Sequence, residues 1–166
     1  MTILLIRHGS AGDPYRWSGD DADRPLDAAG NDQATRLADK VDALLAGRPL
    51  SEVRSSRAIR CLQTVGPAAA RHALRPESDP SLFEGSPSAM TDLVRTRAGA
   101  DGADRRVVVL CSHADVIPDV IRDVVSDGAS LSGGRGCAYA SIWELTVADG
   151  AITHAHYHQS RATSAD

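Results

Sequence analysis

The chain has 166 residues and a formal charge of −4, from 18 Lys and Arg against 22 Asp and Glu. This charge argues against a protein that binds nucleic acid through bulk phosphate attraction, and no window approaches the ~18 apolar residues of a membrane span. The three cysteines are odd in number and widely spaced, which indicates neither a disulfide framework nor a zinc knuckle: Cys61, Cys111 and Cys137. We expect a cytoplasmic protein with one domain, residues 1–166.

The first half of the chain predicts two strands, each followed by a helix. The strands are short runs before turn or polar residues, and the first is apolar throughout: Ile3–Ile6 and Glu52–Ser55. The first helix begins after Asp27, a suitable N-cap, and ends at Gly47 and Pro49. Its apolar side chains recur at three- and four-residue steps: Ala34, Leu37, Ala38, Val41, Leu44 and Leu45. The second helix covers Arg57–His72, where Pro67 should kink or split it.

The second half predicts a short helix, a strand–helix unit and a hairpin. Ala89–Ala98 is the short helix, and Gly99–Gly102 is a turn. Val107–Cys111 is the most strongly predicted strand, and the helix after it carries Pro118 in its first turn, where proline is tolerated. Two last strands are joined through Asp149-Gly150: Ala140–Val147 and Ala151–Tyr157. Three polar or glycine-rich stretches predict loops: Ser10–Pro25, Arg75–Ser88 and Gly128–Gly136.

Alternating strands and amphipathic helices predict an α/β fold of three layers. The central sheet should be mainly parallel with an antiparallel edge strand, and helices should cover both faces. Ligands bind beyond the carboxyl ends of the strands in such sheets. His8 and His113 each follow a buried strand at that end. Either histidine alone would more often be structural, but their shared position indicates a functional site.

Two arginines are predicted at the same edge of the sheet. Arg7 precedes His8, and Arg60 lies in the first turns of the helix after the second strand. At ~4 Å and an effective dielectric constant of ~20, each like-charge contact costs about 4 kcal/mol, and a contact with an anion returns a similar amount. The guanidinium fork matches the oxygens of a phosphoryl group. The cluster therefore favours a phosphoryl-binding site.

Five segments, in order along residues 3–121, resemble motifs of the histidine phosphatase superfamily, which has the phosphoglycerate mutase-like fold. Leu5–Gly9 is similar to its Arg-His-Gly signature, and Ser55–Thr64 is similar to the signature that carries the second phosphate-binding arginine, here Arg60. Val108–His113 resembles the strand that bears the second histidine. The remaining segments resemble the start of the first helix and the carrier of the carboxylate proton donor: Arg24–Asp27 with Gly30, Gln33 and Ala34, and Leu82–Gly85.

Two further segments resemble a narrower, phosphohistidine-phosphatase-like branch of SixA type. That branch includes the domain fused behind a Nudix hydrolase in actinobacterial proteins. The segments flank the motifs already named: Trp17–Asp21 and Val116–Asp119.

The resemblance implies a two-step phosphatase mechanism without a metal or another cofactor. His8 would attack phosphorus as a neutral imidazole and form a phosphohistidine, which water then hydrolyses. Arg7, Arg60 and His113 would stabilise the charge on the equatorial oxygens. Glu84 would protonate the leaving oxygen and later deprotonate water.

The proton donor and the substrate stay open at this point. The donor varies in the short branch, and Asp115 or Asp13 could serve in place of Glu84. Asp13-Pro14-Tyr15 stands where the larger family usually carries Asn, which argues against a mutase-type substrate contact. The partner could be a phosphorylated protein or a small phosphorylated metabolite such as a nucleotide or sugar phosphate. A non-catalytic phosphate-binding module is the third alternative.

Three other features have plainer interpretations. Gly133–Gly136 lacks the spacing and the preceding strand of a phosphate loop, so we expect a mobile surface loop that could still contact substrate. Arg57 stands where the family commonly has proline, and we interpret it as a solvated charge rather than a source of positive potential at the mouth. Three alternate histidines could bind a metal, but on one face of an exposed edge strand they are more often bystanders: His154, His156 and His158.

Overall fold

The structure is a computed structural model that describes residues 1–100 and 105–160. The described elements, in chain order, are β1 Thr2–Arg7, α1 Ala28–Leu45, β2 Leu50–Ser55, α2 Ile59–Arg71, β3 Glu77–Ser78, α3 Pro87–Gly99, β4 Val107–Ser112, α4 Ile117–Ser126, β5 Ser130–Ser132, β6 Ile142–Ala148 and β7 Ala151–His158. Short 3₁₀ turns cover Asp21–Asp23 and Pro80–Leu82. The turn predicted at Gly99–Gly102 lies partly outside the described residues. No helix in the described ranges is long and apolar enough to cross a membrane.

The strands form one sheet in the order β3-β2-β4-β1-β6-β7-β5. β1 pairs in parallel with β4, β4 with β2, and β2 with β3. β6 runs antiparallel to both β1 and β7, and β5 is parallel to β7. These pairings confirm the mainly parallel sheet with antiparallel pairing toward one side, where β7 and β5 continue the sheet beyond β6.

Helices cover both faces of the sheet, which confirms the predicted three layers. Successive side chains of a strand point to opposite faces, so β1 contributes to two apolar clusters. Ile3 and Leu5 pack in the cluster that contains residues of α3 and α4. Leu4 and Ile6 pack in the cluster that contains residues of α1 and α2. All four side chains are fully buried, so β1 is anchored from both sides.

The structure confirms the predicted start of α1 and the position of Pro118, but it differs from the prediction at Pro67. Asp27 caps α1 as predicted, since its carboxylate accepts the Gly30 N–H at 2.8 Å. Pro118 lies in the first turn of α4. Pro67, however, does not split α2, which runs unbroken through it. Buried residues on both sides of the proline hold the helix on the sheet, and this packing outweighs a cost of about 3 kcal/mol for an interior proline: Thr64, Val65, Ala68 and Ala69.

Candidate active site

The carboxyl ends of β1, β4 and β2 bring the two histidines together. Backbone pairing continues past the strands, because the His8 N–H donates to the Ser112 carbonyl at 3.1 Å and the Ser56 N–H donates to the Cys111 carbonyl at 2.9 Å. The ring centroids of His8 and His113 are therefore only 5.3 Å apart. The parallel pairing of β1 with β4 thus places the two histidine side chains close together, as predicted.

The hydrogen bonding of His8 defines its tautomer. Its Nδ1 lies 2.7 Å from the Gly9 carbonyl oxygen. A carbonyl only accepts, so Nδ1 carries the proton and Nε2 keeps its lone pair in the neutral ring. Burial lowers the pKa of His8 to about 4, with the positive charges of Arg60 and Arg7 adding to the effect against the Gly9 hydrogen bond. His8 is consequently a neutral imidazole with Nε2 available as a nucleophile at neutral pH.

Arg60 is a buried cation beside this pair, with 2% of its surface exposed. Its Nη1 donates to the Asp21 carbonyl oxygen at 2.7 Å, and its Nη2 lies 3.0 Å from an Asp21 carboxylate oxygen. The same Nη2 contacts the Glu84 carboxylate. Sequence reasoning missed Asp21, although Asp21 lies in the Trp17–Asp21 segment that resembles the SixA-type branch.

Arg7 approaches from the other side and is held by the chain that enters β6. Its Nη1 donates to the Cys137 carbonyl at 2.7 Å, and its guanidinium carbon lies 4.0 Å from the centroid of the Tyr139 ring. The Nε atoms of Arg7 and Arg60 are both buried without a hydrogen-bond partner within the described ranges. Buried donors nearly always have an acceptor. Two orphaned guanidinium N–H groups therefore indicate an anion-binding site.

His113 is also neutral and is oriented by polar neighbours. Burial and the neighbouring His8 and Arg60 lower the pKa of His113 to about 3. Its Nε2 lies 2.8 Å from the Ser56 hydroxyl, and its Nδ1 lies 3.3 Å from a Glu84 carboxylate oxygen. With the Ser56 hydroxyl donating to Nε2, the ring proton is on Nδ1 and faces the carboxylate. Sequence reasoning did not identify Ser56.

The three candidate proton donors lie in different surroundings. Glu84 contacts Arg60 and His113, and burial together with the negative charges of Asp21 and Asp115 raises its pKa against the pull of Arg60. Asp115 accepts the Gly85 N–H at 3.0 Å, next to Glu84.

Asp13 instead accepts the Tyr15 N–H and pairs with Arg16 within its own exposed loop. The geometry therefore favours Glu84 as the proton donor, since it alone of the three contacts both a site arginine and a site histidine among the interactions of the described residues.

A set of buried contacts fixes the loop that follows His8. Thr64 Oγ1 accepts the Gly9 N–H at 2.9 Å and donates to the Arg60 carbonyl at 2.6 Å, which ties the two ends of the site together. Gly30 packs against the same loop, because a Cβ there would lie 1.9 Å from the Ser10 carbonyl oxygen. Gln33 Oε1 accepts the Ser10 N–H at 2.8 Å. The segment after Arg24 therefore supports the loop that follows His8.

The glycine-rich stretch and the alternate histidines lie elsewhere. The stretch contains β5, which pairs with β7, so β7 is not the edge strand that the sequence predicted. Gly133 is packed rather than free, since a Cβ on it would lie 2.3 Å from the Tyr157 carbonyl. The histidines contact polar side chains of β5 and β6: His154 with Ser130 and Ser132, His156 with Ser132, and His158 with Glu144. No three metal-ligating side chains in the described part are arranged to hold a metal ion.

The amino-acid sequence is similar to those of known proteins. The model of the histidine phosphatase superfamily (branch 1) matches residues 3–100. An 8-oxo-(d)GTP phosphatase of Mycolicibacterium smegmatis is 31% identical over 160 residues, which cover 94% of this chain and 47% of that protein. The chain thus spans about half the length of this relative.

Solved structures share the fold along nearly the whole chain. The protein histidine phosphatase SixA, in complex with tungstate, aligns with a TM-score of 0.71 at 19% identity and covers 96% of this chain and 95% of its own. A putative phosphohistidine phosphatase SixA of Nakamurella multipartitia aligns at 0.66 and 24%, covering 95% and 93%. A mycobacterial glucosyl-3-phosphoglycerate phosphatase aligns at 0.68 and 18%, covering 92% and 95%. The chain belongs to the histidine phosphatase superfamily, branch 1.

Proposed function

We propose that this chain hydrolyses phosphate monoesters or phosphohistidine, without a metal, through a phosphohistidine intermediate on His8. The observation that carries the proposal is a neutral histidine, with Nε2 free, between two arginines whose buried Nε–H groups have no acceptor in the described ranges. A phosphoryl group supplies the acceptor oxygens that both guanidinium groups need.

In the first step, Nε2 of His8 attacks phosphorus and the bond from phosphorus to the leaving oxygen breaks. The leaving oxygen takes the proton of Glu84, whose raised pKa favours the protonated form. Arg7, Arg60 and the Nδ1 proton of His113 stabilise the negative charge on the three equatorial oxygens.

In the second step, water attacks the phosphorus of phosphohistidine. The Glu84 carboxylate takes a proton from this water, the phosphorus–nitrogen bond breaks, and inorganic phosphate leaves. His8 returns to its neutral form with the proton still on Nδ1, and Glu84 is protonated again. The hydrogen bond from Nδ1 to Gly9 stabilises the ring while it carries the phosphoryl group.

The substrate is a phosphorylated protein or a small phosphorylated metabolite in the cytoplasm. A nucleotide is the small-molecule candidate, because the 31% identical relative is an 8-oxo-(d)GTP phosphatase. The match covers under half of that protein, so its nucleotide activity transfers to this chain only as a hypothesis. A panel that compares phosphohistidine protein with nucleoside phosphates distinguishes the two substrate classes.

The test is to trap the intermediate. Rapid acid-free quenching with a ³²P-labelled substrate should give a phosphoenzyme that is stable to base and labile to acid, as phosphohistidine is. His8→Ala should abolish both the phosphoenzyme and turnover, and turnover of the unaltered enzyme should persist in excess chelator. His154→Ala serves as the matched control, because the hydrogen bonds of His154 to other described residues are with serines of β5.

Turnover by the His8→Ala variant, or a label on another residue, would remove His8 as the nucleophile. Phosphate binding without turnover of any ester would instead support the non-catalytic module.

A further inference from the structure

The one phenylalanine of the chain, Phe83, lies between the catalytic centre and an exposed arginine. Its ring centroid is 6.0 Å from that of His113, with the two planes nearly perpendicular at 82°. The guanidinium carbon of Arg57 lies 4.2 Å from the centroid of the same ring. Arg57 is therefore stacked on the wall that also contacts the second histidine.

Arg57, like Arg7, has no carboxylate partner among the described residues, but Arg57 is exposed whereas Arg7 is half-buried. Arg60 is paired with Asp21 and Glu84, and Arg24 is paired with Asp21. Arg57 is exposed and forms no ion pair with any residue whose structure is described. Its charge is consequently available to an anion from outside the chain.

The position of Arg57 is fixed from two sides. The preceding residue, Ser56, is buried and its hydroxyl contacts Nε2 of His113 at 2.8 Å. Phe83 supports the side chain itself, and stacking on an aromatic face restricts the rotamers of an otherwise mobile arginine. A cation held in one place loses less entropy when it binds a ligand than a free one does.

The carboxylates near the centre would repel a substrate that carries a second negative charge. Asp21 and Asp115 both act on Glu84 as negative charges, so a substrate with a second anionic group meets repulsion on this side. Arg57 is an exposed positive charge without a carboxylate partner in the described part of the chain, and it can offset this repulsion.

We propose that Arg57, held on Phe83, forms a second anion subsite on the side of the centre where Phe83 adjoins His113, and selects substrates in which another phosphate adjoins the transferred one, as in a nucleoside diphosphate. This inference rests on the proposed function. His8 Nε2 attacks the terminal phosphorus, the bond to the bridging oxygen breaks, and the nucleoside monophosphate leaves with the proton from Glu84. Water then releases phosphate as before, while Arg57 binds the phosphate that remains on the leaving group.

The experiment compares kcat/KM for ADP and AMP in three proteins: the unaltered enzyme, Arg57→Ala and Arg36→Ala. Arg36 is an exposed arginine of α1, so its removal makes the same change in net charge. For each variant, the loss of kcat/KM relative to the unaltered enzyme is determined for ADP and for AMP. Dividing the two losses removes the intrinsic difference between the leaving groups of ADP and AMP. Arg57→Ala should lower kcat/KM for ADP about tenfold more than for AMP, mainly through KM, as the loss of one charge-assisted contact predicts.

Two further measurements separate a binding role from a structural one. Phe83→Leu keeps an apolar side chain but removes the ring, and it should shift the ADP-to-AMP ratio in the same direction by a smaller factor. Added salt should lower the ADP preference of the unaltered enzyme, because the Arg57 charge is exposed to solvent. Arg36→Ala should leave the ratio unchanged.

An equal loss for both nucleotides, no loss for either, or the same shift in Arg36→Ala would overturn the subsite. A preference for ADP that survives Arg57→Ala would overturn it as well. Reaction with p-nitrophenyl phosphate distinguishes failure of the proposed function from failure of the Arg57 subsite. If the unaltered enzyme forms no phosphohistidine with that ester, the proposed function fails; if it does and only the ratio test fails, the subsite alone is wrong.

Discussion

Thr64→Val isolates the hydrogen bonds that join the loop after His8 to α2, the helix that carries Arg60. Thr64 is fully buried, and its hydroxyl accepts the Gly9 N–H at 2.9 Å while donating to the Arg60 carbonyl at 2.6 Å. Valine has nearly the same shape, so the substitution removes these two bonds and leaves the packing in place. Its effects therefore report the hydroxyl rather than a cavity.

The expected loss of stability depends on which hydrogen bonds the Arg60 carbonyl and the Gly9 N–H retain in the variant. The Arg60 carbonyl retains its bond within α2, but the buried Gly9 N–H loses its acceptor, at a cost of about 1–3 kcal/mol. We expect the free energy of unfolding in urea to fall by about 2 kcal/mol. Because Gly9 is also the residue whose carbonyl orients His8, we expect kcat/KM for p-nitrophenyl phosphate to fall by about tenfold.

Two control variants make the prediction specific. Thr64→Ser keeps the hydroxyl and loses one methyl group, so it should cost about 1 kcal/mol and leave kcat/KM close to that of the unaltered enzyme. Thr35→Val removes an exposed hydroxyl that donates to the Asn31 carbonyl in the same way, and it should change stability by less than about 0.5 kcal/mol. The reasoning is refuted if Thr64→Val is as stable and active as the unaltered enzyme, or if Thr64→Ser loses as much activity as Thr64→Val.

Further predictions concern the titration of His8, the role of Glu84 and the packing of two helical glycines. The pKa of His8 is about 4 rather than the ordinary 6.5, so a pH–rate profile of kcat/KM should show no loss of activity as pH falls through 6.5. The same lowered pKa makes the unfolded chain bind more protons, so urea unfolding should show stability that is fully present above pH 6.5 and lost as pH falls toward 4; a stability independent of pH in this window would contradict it. Glu84→Gln should lower kcat about 10²- to 10⁴-fold on alkyl phosphates and much less on p-nitrophenyl phosphate, whose leaving group needs no proton; equal losses on both would exclude Glu84 as the acid. Gly30→Ala should destabilise the fold by more than about 2 kcal/mol, because its Cβ would lie 1.9 Å from the Ser10 carbonyl. Gly66→Ala in α2, where a Cβ meets open space, should stabilise the fold by about 0.5–1 kcal/mol, with both variants measured by urea unfolding. Similar effects of the two changes would refute the packing argument.

The central part of the fold was predictable because its strands are apolar and buried. Ile3–Ile6 and Val107–Cys111 have a continuous apolar pattern, and they lie within β1 and β4 as expected. β3 has two exposed residues, Glu77 and Ser78, so no pattern in the sequence marks it. β5 has three residues and lies in a stretch whose glycines indicate a loop.

The residues of the candidate site also differ in whether the sequence pattern could predict them. His8 and His113 could be found because each directly follows a buried strand, and parallel pairing brings such ends together. Tyr139 and Asp21 could not be found, since their contacts with Arg7 and Arg60 depend on how distant loops fold over the sheet. The chain separation between Arg7 and Tyr139 exceeds the range over which any local pattern acts.

The histidines extend from β1 and β4, whose side chains are buried almost without exception. Amide protons of such strands exchange with solvent only when the whole domain opens, whereas surface loops open locally at far lower cost. Partial unravelling of the outer loops therefore leaves His8 in place. Deuterium uptake at His8 and proteolytic inactivation should consequently track global unfolding, and the enzyme should lose function in a single cooperative event.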